Sequence, residues 1–158
     1  MRKHIIIFLS VLLFFSGCAI KQDAILSYPY KIVVKTQNIG IADAGFLKKS
    51  SRYKNLQIFS AGSLVLNLKL SNKACLNGRC TTREDFNTKL FGYPYYKNIM
   101  DDILNKNQIY NGKNIKYIKD GFEQRIKSKN YDILYKIEDG NIYFKDRQNK
   151  VLIKLERI

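Results

Sequence analysis

The sequence predicts an α+β fold, an antiparallel β-sheet with two helices inserted between an N-terminal and a C-terminal group of strands. Three observations carry this. Apolar and polar residues alternate with period two over residues 30–36 and 63–70, helical spacing occupies residues 81–104, and alternation returns from residue 115 across short turns. Strands, then helices, then strands again indicate segregated elements and an antiparallel sheet.

Taken in order, residues 19–29 have no clean period, end at Pro29 and read as a tether. Tyr30, Ile32, Val34 and Thr36 share one face of the first strand, opposite Lys31, Val33 and Lys35. A second strand is predicted over residues 56–60. Leu64, Leu66, Leu68 and Leu70 then line one face of a strand over 63–70, and Gly62 suits the turn between the two. Thr81 and Glu84 have capping-box spacing ahead of Phe86 and Leu90, with Gly92 as the C-terminal cap. From Pro94 a second helix is expected, with Tyr96, Ile99, Met100, Ile103 and Leu104 forming one apolar stripe and Asn111-Gly112 ending it. Five strands follow, at about residues 115–118, 122–127, 131–137, 141–145 and 151–157. The turns between them are short and rich in Asp, Asn and Gly, as in a meander.

Residues 1–18, MRKHIIIFLSVLLFFSGC, divide the chain before any fold is considered. A basic start, an apolar run over residues 5–15 and the small residues Ser16-Gly17 are the pattern of a secretory signal. Eleven residues of helix are too short for a hydrocarbon core of about 30 Å. The segment resembles the lipobox of bacterial lipoproteins, with Phe15 where Leu is commonest. That resemblance implies a signal peptide over 1–17, acylation of Cys18, a lipidated N-terminus and tether over 18–29, and one globular domain over 30–158. Ala19 rather than Asp after the cysteine implies transfer to the outer membrane, facing the periplasm. The alternative is an ordinary signal cut after Gly17 or Ala19, with Cys18 incidental.

The chain carries a formal charge of +15, with 28 Lys and Arg against 13 Asp and Glu. The basic residues are dispersed, are mostly Lys, and follow an export signal, so nucleic acid is not the expected partner. Anionic phospholipid is the more available one. A compositional explanation competes: Lys, Ile and Asn, all with AT-rich codons, fill 55 of the 158 positions.

Cys75-Leu76-Asn77-Gly78-Arg79-Cys80 has the strongest short signal for a two-residue hairpin, Asn-Gly. With Asn77 and Gly78 in the turn, Cys75 and Cys80 face each other across the ladder and can form a disulfide in an exported compartment. Reduced thiols are the alternative. A redox Cys-x-x-Cys site does not fit this spacing. Zinc would need two further ligands, and no metal or other cofactor is implied.

The one histidine, His4, lies in the signal, so a mature chain from Cys18 has no Ser-His or Cys-His nucleophile. No Gly-rich phosphate loop is present. Asp101 and Asp102 point in different directions on a helix, and Glu84 and Asp85 suit a helix start. A non-enzymatic protein is expected. Eleven Tyr and nine Phe without Trp leave two readings, core filling or an apolar groove between sheet and helices.

From Tyr30 onward the order of elements resembles the lipoprotein-localisation (Lol) carrier and receptor proteins. The resemblance rests on the leucine-rich strand 63–70, on Phe86-x-x-x-Leu90-Phe91-Gly92, and on Tyr131-Asp-Ile-Leu-Tyr-Lys-Ile137 followed by Val151-Leu-Ile-Lys-Leu155. It implies a curved sheet forming an incomplete barrel, capped by helices over an apolar cavity for acyl chains. Leu64, Leu66, Leu68, Tyr96, Ile99 and Ile103 would then line a groove for a lipid or an acylated protein. Departures are a shorter N-terminal side, the lack of Trp, and no protruding apolar loop. The alternative is a structural or assembly lipoprotein that docks on a protein partner and takes no small ligand.

Overall fold

A computed structural model describes residues 24–158; the signal segment and Cys18 lie outside the described residues. The chain forms an α+β fold with one eleven-stranded antiparallel sheet that does not close into a barrel. The strands are β1 (Leu26–Lys35), β2 (Gly40–Lys49), β3 (Lys54–Ser60), β4 (Ser63–Leu70), β5 (Ala74–Leu76) and β6 (Arg79–Thr81), then β7 (Ile115–Ile118), β8 (Gly121–Lys127), β9 (Asp132–Glu138), β10 (Asn141–Asp146) and β11 (Val151–Arg157). Between β6 and β7 lie helices α1 (Arg83–Phe91) and α2 (Ile99–Asn105) and a 3-10 turn at Tyr110–Gly112. Sheet order is β6-β5-β4-β3-β2-β1-β11-β10-β9-β8-β7. Two meanders are thus joined down the middle by β1 and β11, with Tyr30 opposite Arg157 and Ile32 opposite Leu155.

One core serves both halves. Tyr30, Ile32, Leu47, Leu56, Ile58, Phe144, Ile153 and Leu155 are buried from the sheet, and Phe91, Ile99, Met100, Ile103 and Leu104 from the helical segment. In β8 to β10 the alternating pattern holds without interruption, one residue buried and the next partly exposed.

Several elements differ from the sequence reading. Strand β1 starts at Leu26, inside the expected tether. Its Pro29 lies beyond the last pair with β11, where β1 has a partner on one side only, a position that tolerates a missing N–H. Strand β2 was not anticipated. Gly40, Ala42, Asp43, Ala44 and Gly45 have poor strand propensity, and the bulky apolar residues are Ile41 at the start and Phe46 and Leu47 toward the end. At Gly45 the missing side chain has a steric reason: a Cβ there would run into the Gln57 carbonyl oxygen and sit 2.6 Å from the Ile32 side chain. The N-cap of α1 is Thr82 rather than Thr81; its hydroxyl accepts from the Asp85 N–H at 3.1 Å. Gly92 does cap its far end in the left-handed conformation, φ 71°. Helix α2 starts five residues after Pro94 and ends at Asn105, with Lys106 as its C-cap, so Tyr96 stands on the connection rather than on the stripe.

Candidate functional site

The residues expected to line one groove are not assembled into one. Leu66, Leu68, Ile99 and Ile103 are packed in the closed core. Tyr96 is half-buried and donates its hydroxyl to Asp102 Oδ2 at 2.8 Å. Leu64 is 46% exposed. The cause is a β-bulge: Ile58 pairs with Leu66 but its neighbour Phe59 pairs with Leu64, so β4 carries one extra residue. A bulge breaks the strict alternation on which the assignment of Leu64 to the leucine face depended.

The opening beside the helices lies instead at the β6 edge. A cleft of about 360 Å³ runs between α1, the β5–β6 hairpin and the turn joining β1 to β2. Its apolar walls are Ile39, Leu76, Phe86 and Leu90. Asn38, Arg79, Thr81 and Lys89 contribute polar groups and two cations. Each wall is fixed by local chemistry. Cys75 and Cys80 are paired across the ladder and joined in a disulfide, with Cα atoms 3.9 Å apart. Asn77 and Gly78 both have positive φ, as the tight Asn-Gly turn requires. Helix α1 turns Phe86 and Leu90, one turn apart, toward the interior. The Thr36 hydroxyl accepts from the N–H groups of Asn38 and Ile39 at 3.1 Å each, and Asn38 Nδ2 donates to the Lys89 carbonyl at 2.9 Å. The β1–β2 turn is thereby tied to the end of α1.

The aromatic load has a different destination. Tyr93 packs edge-on against Tyr95 at 4.8 Å between centroids, Tyr96 edge-on against Tyr110 at 5.0 Å, and Tyr110 stacks on Tyr131 at 5.2 Å. Tyr95 donates to the buried carboxylate of Asp146 at 2.5 Å. Asp146 also accepts from the N–H groups of Asp132, Gln148 and Asn149. Burial, reinforced by these carboxylates, pushes the Tyr95 and Tyr96 phenols far above their usual range, and burial does the same to Tyr135. All three stay protonated; Tyr95 and Tyr96 act as donors, while the buried Tyr135 hydroxyl has no hydrogen-bond partner among the described residues. Among the described residues no three His, Cys, Asp or Glu side chains are grouped to hold a metal, and no helix is long and apolar enough to cross a membrane.

Comparison with known proteins finds no family model that matches the chain and no curated protein that matches it.

Residues of the cleft that sequence reasoning missed are Ile39, Leu76, Arg79 and Lys89. Ile39 sits in the stretch ahead of the unanticipated β2, and Leu76 had been read only as a hairpin neighbour of the turn. The Thr36–Asn38 pattern, a hydroxyl two residues before an Asn, was the available turn signal.

Proposed function

We propose that this protein is a non-enzymatic, lipid-anchored lipoprotein of the bacterial cell envelope, held by acylated Cys18 on the periplasmic face of the outer membrane. Its domain binds an apolar or acylated ligand in the cleft between α1 and the Cys75–Cys80 hairpin, in the manner of a Lol-like carrier or receptor. The observation that carries the ligand reading is the cleft itself. Its volume falls in the range of small-ligand sites, and four apolar side chains face a few polar groups at its walls. Arg79 and Lys89 add a preference for an amphiphile with an anionic end.

A second reading, docking on a protein partner without a small ligand, draws on the outward side of β2 to β4. Phe46 and Phe59 pack edge-on at 6.0 Å, and Phe46, Leu64 and Val65 are all exposed.

Native mass spectrometry of the full-length protein recovered from bacterial membranes tests both parts. The expected mass is a chain starting at Cys18 with covalent acyl groups, carrying a non-covalent lipid adduct that the Ile39→Trp variant lacks. A chain without acyl groups removes the anchor. A parent protein with no adduct, or an adduct that survives Ile39→Trp, removes the cleft and leaves the partner-docking reading.

A further inference from the structure

At the end of the sheet where β1 begins, cations converge without a counter-charge among the described residues. Lys49 closes β2 and lies opposite Leu26. Arg157 closes β11 opposite Tyr30. Lys106 is the left-handed C-cap of α2, with its Nζ 5.9 Å from the centre of the Tyr30 ring. With Tyr28 and Tyr30 these three side chains enclose a pocket of about 110 Å³.

Like charges repel, so such a cluster is expected to have acquired a carboxylate. Among the described residues none lies within ion-pair distance of Lys49, Lys106 or Arg157. Asp101 is engaged by Lys54 and Arg83, while Glu138 and Glu156 pair with Lys136 and Lys154. The cations are also held in place. The Arg157 guanidinium lies against Gly140, where an added Cβ would meet its Nε at 2.6 Å, and Tyr30 donates to the Gly140 carbonyl at 3.4 Å. Lys49 and Lys106 are half-buried. Burial, then Lys106 and Lys54, push the Lys49 ammonium down to about 8, a cost that a bound anion would relieve.

We propose that Lys49, Lys106 and Arg157 form a binding site for a phosphate group. A guanidinium fork and two ammonium groups around a small pocket match an oxyanion with acceptors on every side. The pocket has room for one such group and not for a nucleotide. Two sources share this chemistry, a phospholipid headgroup and free phosphate. The headgroup source rests on the anchoring proposed above. Cys18 is eight residues before Leu26, so the site would lie within about 29 Å of an acylated cysteine, at roughly 3.6 Å per extended residue. Ile25 and Leu26, each 55% exposed, flank the pocket on that side as a membrane interface would require. The phosphate site itself does not depend on the anchor.

The test uses the full-length protein in dodecyl maltoside micelles, titrated by calorimetry with inorganic phosphate and, separately, with dihexanoyl phosphatidylglycerol, at constant ionic strength. At least one should bind saturably. Lys49→Met and Lys106→Met should each weaken it roughly tenfold or more, as loss of a charge-assisted hydrogen bond does. Lys31→Met, exposed on the opposite face of β1 from Tyr30 and not lining the pocket, should not. Circular dichroism and the unfolding midpoint confirm that each variant is folded. Binding of phosphatidylglycerol alone assigns the site to a headgroup, and binding of inorganic phosphate alone assigns it to free phosphate. Failure of both ligands to bind, or binding that is indifferent to Lys49→Met and Lys106→Met, overturns the site whatever the outcome at Cys18.

Discussion

The two halves of the sheet solve the same problem in different ways. From β8 to β10 every second side chain is buried, the turns are short, and surface charges pair two residues apart on one strand, as in Lys136–Glu138 and Arg125–Glu123. From β1 to β6 the pattern is interrupted by a run of small residues in β2, a bulge between β3 and β4, and a disulfide across two three-residue strands. That half also carries the exposed Phe46 and Leu64, the wall of the apolar cleft and Lys49 of the cation pocket. Regular alternation maximises burial per residue and leaves no openings. Interruptions cost packing and create concave surfaces, which is where proteins place ligands. The C-terminal half is the frame; the apolar cleft lies on the N-terminal half, and the cation pocket lies at the seam where Lys49 of β2 meets Lys106 of α2 and Arg157 of β11.

The comparison breaks most directly by deleting one phenylalanine from each half. Phe144 in β10 is fully buried and packs edge-on against both Tyr95 and Tyr135. Phe144→Ala should lower stability by about 3–5 kcal/mol, transfer and cavity terms together. Phe46 in β2 is 41% exposed, and Phe46→Ala should change stability by about 0.5 kcal/mol or less, as surface substitutions do. Denaturant midpoints with unchanged slopes give both numbers. Similar losses at the two sites would erase the distinction.

This difference also decides what could be read from the sequence. Residues 151–157 were legible to the residue, because a half-buried strand between tight turns leaves a period-two trace. Residues 115–118 also form the strand expected, set between an Asn-Gly and an Asp-Gly turn, although its burial does not alternate. The Asn-Gly hairpin was legible because its turn type demands those residues. Strand β2 was not, since its Gly and Ala residues have poor strand propensity, and Gly45 answers to contact with β1 and β3, neighbours set by topology rather than local sequence. Leu64 was misplaced for a related reason: a bulge is a property of the pairing. The cation pocket joins Lys49, Lys106 and Arg157 across more than a hundred residues, and no local pattern announces it. Asp146 was passed over as the residue after a strand. Its role appears only when Tyr95, fifty-one residues away, is seen to donate to it.

The disulfide sharpens the comparison at intermediate scale. It closes a six-residue loop, so the chain-entropy model gives a loss of about 2 kcal/mol on reduction. The loss should come with a local signature. Hydrogen exchange should accelerate in β5, β6 and the first turn of α1, while β8 to β10 keep their protection. Acceleration spread evenly through the sheet would mean that the two halves unfold as one unit and that the hairpin is not a separable wall of the cleft.

A separate effect is expected in the dependence of stability on pH at Lys49. Its ammonium is faced by Lys106 from the end of α2, Lys54 from β3, Arg157 from β11, and the rings of Tyr28 and Tyr30 from β1. In the folded protein it titrates at about 8, against 10.5 for an unperturbed lysine. Between those values the unfolded chain binds a proton that the folded chain does not, so raising the pH stabilises the fold. Below about 8 both states are protonated and the contribution levels off at its low value; above about 10.5 it is fully present. The useful quantity is the unfolding midpoint of the parent minus that of Lys49→Met, in which contributions common to both cancel. This difference should climb between pH 7.5 and 10, and the climb should shrink once an anion occupies the pocket, because a bound phosphate returns the Lys49 ammonium toward its ordinary range. A difference that stays flat with pH would place Lys49 in open solvent and return the N-terminal half to the same electrostatic footing as the paired surface of β8 to β10.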